Sequence, residues 1–152
     1  MALTKGEIAP DFKLPSTNGT EFRLSEYLGE PLIIYFYPLD FTPGCTKEAC
    51  SFRDNFDVFR QANVKVIGIS TDSVKKHLRF KEKHNLPFEL LSDKGGKVSK
   101  LYDALLPFVK ISKRVTYLLD KEHRIAGVFE NLFGYDKHIK VMIDLLANKS
   151  YK

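Results

Sequence analysis

The stretch Leu32-Ile33-Ile34-Tyr35-Phe36-Tyr37 constrains the fold more than any other part of the chain. It is apolar throughout, bounded by Pro31 and Pro38, and rich in β-branched and aromatic residues. That pattern is expected of a strand covered on both faces. A helical pattern follows almost at once, with Ala49, Phe52, Phe56 and Phe59 recurring in steps of three and four. Such steps mark one apolar helix face. Thr42 suits the N-cap and Pro43 the first helical residue, so a helix is expected from Pro43 to about Ala62. A buried strand running through a short loop into a helix is the start of an α/β layer structure.

Cys45 falls in the first turn of that helix. The unpaired N–H groups and the helix dipole favour negative charge there. A thiol so placed becomes a nucleophilic thiolate more easily than one in a helix interior. Cys50 lies five residues on. In a continuous helix the two Cα atoms would be about 8.5–9 Å apart and would face different ways. A disulfide needs Cα atoms within about 7 Å. Either the cysteines are unrelated, or joining them requires the helix to unwind.

The rest of the chain alternates in the same manner. Phe12–Leu14 and Glu21–Leu24 flank the turn Ser16-Thr17-Asn18-Gly19 as an N-terminal β-hairpin. Ser25 is expected to cap a short helical turn through Leu28. Strands are expected at Val64–Ser70 and Phe88–Leu91, with a helix capped by Ser73 between them and a short helix at Gly96–Tyr102. An irregular stretch through Ser112 leads to a hairpin, Val115–Leu119 with Ile125–Phe129. An amphipathic helix from Tyr135 to Ala147 closes the chain, with Ile139, Met142, Ile143 and Leu146 inward. With 152 residues and no linker or repeat, residues 1–152 are expected to form one domain.

Charge and composition exclude several functions. The excess of positive charge lies after residue 50, with Lys75, Lys76, Arg79, Lys81 and Lys83 crowding one expected helix. No nucleic-acid motif accompanies them, so they read as a solvated face and no nucleic-acid partner is expected. No apolar run approaches the ~20 residues that cross a bilayer, and no membrane association is expected. Met1–Glu7 lacks the apolar stretch of a secretory signal. Two cysteines do not make a disulfide scaffold, and a reducing, cytoplasmic location is expected. His77, His84, His123 and His138 show no ligand spacing and read as surface or satisfied side chains. The stripe Phe52, Phe56, Phe59 reads as core.

Pro38, Thr42 and Cys45 match the P-x-x-x-T-x-x-C signature of peroxiredoxins. The longer stretch from Phe41 to Asp54 resembles the Q-type subfamily, also called bacterioferritin-comigratory protein. Gly6-Glu7-Ile8-Ala9-Pro10-Asp11-Phe12 and Arg114-Val115-Thr116-Tyr117-Leu118-Leu119-Asp120 fit as well, so the resemblance spans nearly the whole chain. Element order and resemblance agree on an α/β, thioredoxin-like fold. Its mixed central sheet would be covered by helices on both faces, with Cys45 just past a strand's C-terminal end.

The resemblance implies a thiol peroxidase acting on hydrogen peroxide and organic hydroperoxides. Cys45 would attack the peroxide and become a sulfenic acid, Cys50 would resolve it as an intramolecular disulfide, and a thioredoxin-like protein would reduce that. Arg114 matches the family's active-site arginine. No metal, haem or flavin is implied, and a monomer or weak dimer is expected. The residues themselves suggest matching roles. The N–H groups of Gly44 and Cys45 could receive charge on the leaving oxygen. The Thr42 hydroxyl could bind peroxide or serve as a plain N-cap. Pro38 could shape and dry the pocket, or simply end the strand. Glu48 lies near the Cys45 face and could orient an arginine. Two other readings compete: a thiol–disulfide oxidoreductase, whose usual C-x-x-C differs from this spacing, and a silent thioredoxin-fold binding protein.

Overall fold

The computed structural model describes residues 2–149, 151 and 152. A short antiparallel hairpin, β1 (Lys13–Pro15) with β2 (Glu21–Arg23), precedes a 3-10 turn at Leu24–Tyr27. The order then runs β3 (Leu32–Phe36), α1 (Pro43–Asp54), α2 (Phe56–Gln61), β4 (Lys65–Ser70), α3 (Val74–His84) and β5 (Glu89–Ser92). It finishes with α4 (Lys97–Leu101), β6 (Val115–Leu119), β7 (Ile125–Glu130) and α5 (Tyr135–Ala147). The main sheet has the order β5-β4-β3-β6-β7. β3, β4 and β5 are parallel, whereas β6 is antiparallel to both β3 and β7. This is the mixed, thioredoxin-like sheet that the element order implies.

β3 is central and buried on both faces, as its unbroken apolar run requires. Its side chains alternate between two cores. Ile33 and Tyr35 join Cys45, Phe52, Phe59, Phe80, Ile139 and Met142 beneath α1, α2, α3 and α5. Ile34 and Phe36 join Phe12, Phe22, Val98, Tyr102 and Tyr117 beneath the hairpin and α4. The parallel β3-α1-β4 connection carries the chain out at the C-terminal edge of β3, and the loop there delivers Cys45.

Two local expectations are corrected. The helix expected to reach Ala62 breaks at Asn55, with φ −105° and ψ 13°. Both the backbone N–H and the Nδ2 of Asn55 donate to the Ser51 carbonyl, at 3.2 and 2.9 Å. They satisfy an orphan carbonyl at the end of α1, and α2 restarts at once. The phenylalanine stripe survives the break, which is why periodicity alone did not reveal it. Ser25 is not a cap: its backbone N–H donates 2.9 Å to Asp11 Oδ1, so a distant carboxylate replaces the expected local hydroxyl. Ser73, by contrast, accepts from the Lys76 N–H at 3.2 Å as the N-cap of α3.

Candidate active site

The loop Tyr37–Thr42 leaves β3 and turns sharply into α1. Phe41 supplies the turn by adopting a left-handed conformation, φ +68°. A bulky side chain there costs roughly 1–2 kcal/mol, so the surroundings must hold it. Thr42 occupies the N-cap position in extended conformation, but its hydroxyl makes no cap bond. It donates instead to the Leu39 carbonyl at 2.9 Å, which leaves its lone pairs available to a ligand's hydrogen. Half-buried Pro38 precedes that carbonyl directly. The first helical bond runs from Thr46 N–H to Thr42 O, 2.9 Å, so the N–H groups of Gly44 and Cys45 stand outside the helical ladder.

Arg114, the residue just before β6 and 4% exposed, comes up beside Cys45. Its Nη2 donates to Cys45 Sγ at 3.3 Å, its Nη1 to Glu48 Oε1 at 2.6 Å, and its Nε to the Leu132 carbonyl at 2.8 Å. Glu48 and Cys45 lie on one α1 face because three helical steps bring side chains together. The guanidinium also lies over the Tyr135 ring, 4.7 Å from its centroid. Gly44 packs against the same ring: a Cβ there would sit 2.5 Å from ring carbons of Tyr135. Gly44 therefore serves the close approach of the Tyr135 ring, not an unusual φ.

Burial pushes the Glu48 carboxyl up to about 7, against the opposing pull of Arg114. Burial alone would lower Arg114, but the negative charge of Glu48 and Cys45 outweighs it and holds the guanidinium above its ordinary value. One cation thus serves two acidic partners, and a cation donating to sulfur stabilises negative charge there. When Glu48 is protonated, more of that field is left to Cys45. Glu48 Oε2 is buried and has no hydrogen-bond partner among the described residues, 3.6 Å from Nδ1 of His138. His138 is buried in α5, with Nε2 donating to the Asn131 carbonyl (2.8 Å) and Nδ1 accepting from the Thr116 hydroxyl (2.8 Å). Burial, then Arg114, lowers His138 to about 4, opposed by the Asn131 bond, so the ring is neutral.

Cys45 is buried, Cys50 is half-buried, and both are free thiols on the unbroken α1. The structure brings Cys45, Thr42, Gly44, Arg114 and Glu48 together around the helix start, with Pro38 at its approach and Cys50 further along the same helix. Sequence reasoning missed Tyr135, His138 and Thr116. They lie far along the chain: the docking of α5 against α1 brings in Tyr135 and His138, and the pairing of β6 with β3 brings in Thr116. A small cavity of about 200 Å³, lined by Leu106, Lys113, Arg114, Glu130 and Leu132, opens beside Arg114. Asp40, Asp72 and His77 hold ligand-type atoms within 4.8 Å of one another, but these atoms are already bonded within the protein.

One buried thiol at a helix start, held by an arginine on a thioredoxin-like sheet, defines a class of site built for thiol redox chemistry. Residues 5–128 match the model of the AhpC/TSA family. The chain is 44% identical to the chloroplastic peroxiredoxin Q of Sedum lineare over 147 residues, covering 96% of this chain and 79% of that one. The crystal structure of peroxidoxin BcpB from Mycobacterium tuberculosis superposes with a TM-score of 0.90 at 35% identity, covering 96% of this chain and 97% of that one. A Xanthomonas campestris bacterioferritin comigratory protein, studied for alkyl peroxide reduction, gives 0.83 at 30% identity, covering 91% and 92%. The chain belongs to the AhpC/TSA family, in its peroxiredoxin Q branch. It is a thiol-dependent peroxidase.

Proposed function

We propose that Cys45 is the peroxidatic cysteine and Cys50 its resolving partner within the same chain. The observation that carries this reading is the 3.3 Å bond from Arg114 to Cys45 Sγ, with Glu48 fixing the other end of the guanidinium. The Cys45 thiolate attacks the terminal oxygen of the hydroperoxide, and the S–O bond forms as the O–O bond breaks. The leaving alkoxide or hydroxide takes up a proton and departs as alcohol or water. Arg114 and the N–H groups of Gly44 and Cys45 face the oxygen where charge develops. The Thr42 hydroxyl accepts a hydrogen bond from the peroxide, and Pro38 keeps water from the thiol. The Cys50 thiolate then attacks the sulfenic sulfur and the S–O bond breaks. The leaving hydroxide takes up the proton that Cys50 gave up and departs as water, and a disulfide remains.

Hydrogen peroxide and organic hydroperoxides both suit the site. The cavity beside Arg114 has leucine walls for an organic tail, in keeping with the alkyl peroxide reduction studied in the Xanthomonas relative. A thioredoxin-like dithiol protein closes the cycle by exchange with the disulfide. Chemistry that must be re-reduced each turnover fits a reducing compartment, here the cytoplasm. Among the described residues no helix is long and apolar enough to cross a membrane. Residues 1–152 act as one peroxiredoxin domain, a monomer or weak dimer.

Intact-mass analysis after one equivalent of peroxide tests the assignment. The wild type should lose two hydrogens, Cys50→Ser should gain one oxygen on Cys45, and Cys45→Ser should stay unchanged. An oxygen on Cys50 with turnover retained in Cys45→Ser would reverse the two roles.

A further inference from the structure

A second buried network stands behind the active-site loop. His77, on α3, has no exposed surface, and both ring nitrogens meet oxygen. Nε2 donates to the Leu91 carbonyl of β5 at 2.9 Å, and a carbonyl can only accept. Nδ1 lies 2.6 Å from Asp40 Oδ2, so a proton sits between imidazole and carboxylate. The Tyr37 hydroxyl donates to Asp40 Oδ1 at 2.5 Å. The Asp40 backbone N–H donates 2.8 Å to Asp72 Oδ2, which also takes the Ser70 hydroxyl at 2.7 Å. Lys76 Nζ holds Asp72 Oδ1 at 2.8 Å. Asp40 is thus tied to β3, β4 and α3, and through His77 to β5.

The neighbour of Asp40 is the strained Phe41, and Thr42 follows directly. Left-handed Phe41 persists only if both of its flanks are fixed. The N-cap position fixes one flank and the Asp40 knot fixes the other. We propose that His77 is a positioning residue for the peroxidase reaction. It clamps Asp40, and the clamp holds Thr42 and Cys45 in the arrangement that attacks peroxide. This rests on the assignment of Cys45 and Cys50 above. Closing a Cys45–Cys50 disulfide requires the first turns of α1 to open, because the cysteines are too far apart in a helix. The clamp is the fixed end of the segment that opens. A tighter clamp favours attack, and a looser one raises the population of the opened form and favours resolution.

Two substitutions divide the two bonds of His77. In His77→Asn the amide nitrogen takes the place of Nδ1 and keeps the bond to Asp40. In His77→Gln it takes the place of Nε2 and keeps the bond to Leu91. Rapid-quench intact mass follows sulfenic acid and disulfide separately after peroxide is added. His77→Gln should slow Cys45 oxidation about tenfold, a fraction of the effect of a 1 Å misplacement. It should also speed disulfide formation severalfold. His77→Asn should stay within about threefold of wild type in both steps. Asp40→Ala releases the same bond from the loop side and carries the same expectation as His77→Gln, so the test stands if that variant does not fold. A purely structural His77 would make the two variants alike, or slow both steps together, and either result overturns the proposal. If wild type itself forms no sulfenic acid on Cys45, the assignment of Cys45 has failed instead.

Discussion

Replacing Gly44 by alanine should damage the reaction far more than the fold. The new Cβ would lie 2.5 Å from Cε1 and Cζ of Tyr135 and 2.7 Å from its hydroxyl oxygen. Carbon atoms in ordinary contact sit about 3.5–4 Å apart, so the ring must retreat by about 1 Å. Tyr135 is half-buried and its ring end can swing, which places the stability cost near the low end of overpacking, about 1 kcal/mol. In a chain of this size that lowers Tm by about 2–4 °C. The ring also carries Arg114 at 4.7 Å. Moving it by that much disturbs the guanidinium that bonds Cys45 Sγ at 3.3 Å. A 1 Å misplacement near a reacting centre costs up to about 10²-fold, so peroxide reduction should fall 10- to 100-fold. Stopped-flow measurement of Cys45 oxidation reads this directly. Tyr135→Leu removes the clash, and Gly44→Ala/Tyr135→Leu should be no slower than Tyr135→Leu alone, a strong departure from additivity. A Gly44→Ala protein that keeps the wild-type rate, or effects that simply add in the double variant, would refute the link through Tyr135.

Arg114→Lys keeps the charge but loses the planar fork that holds Cys45 and Glu48 together. Peroxide reduction should slow about 10²-fold, near the effect of losing one oriented donor, and a wild-type rate would remove Arg114 from the site. Stability against pH tests the buried pair behind it. Glu48 is raised to about 7 from an ordinary 4.5, so between those values the folded chain holds the extra proton and stability falls as pH rises. His138 is lowered to about 4 from 6.5, so there the unfolded chain holds the extra proton and stability rises with pH. The slopes oppose one another between pH 4.5 and 6.5. Glu48→Gln removes the first, and its stability should climb toward pH 6.5 by up to about 1.4 kcal/mol per pH unit relative to wild type. Parallel denaturation curves across pH would show that Glu48 is not buried as described. Oxidation should open the first turns of α1 at the cost of a few helical bonds, about 0.5–1.5 kcal/mol each. Amide exchange from Phe41 to Phe52 should then quicken while β4 stays protected, and a Cys45–Cys50 disulfide formed with α1 still protected contradicts that motion.

The sequence by itself determined the strand–loop–helix unit, because its information is local. An apolar run, a proline at the first helical position and a period near 3.6 suffice to place Cys45 at a helix start. The sheet's mixed character followed from the order of elements. Residue identity and family resemblance together also nominated Arg114 and Glu48, although no local rule joins residues 66 positions apart. Other features became visible only in the tertiary structure, because they depend on which surfaces meet. The break at Asn55 preserves the apolar stripe and so leaves no trace in periodicity. Thr42 sits where a cap belongs, yet its hydroxyl turns to Leu39, a choice set by the loop's path. Tyr135 and His138 reach the site through the docking of α5 on α1, Thr116 through the pairing of β6 with β3, and the clamp on Asp40 through the packing of α3 against β5. Buried polar groups must find partners wherever the fold places them, and long-range pairing of that kind is decided by packing, which a linear pattern does not encode.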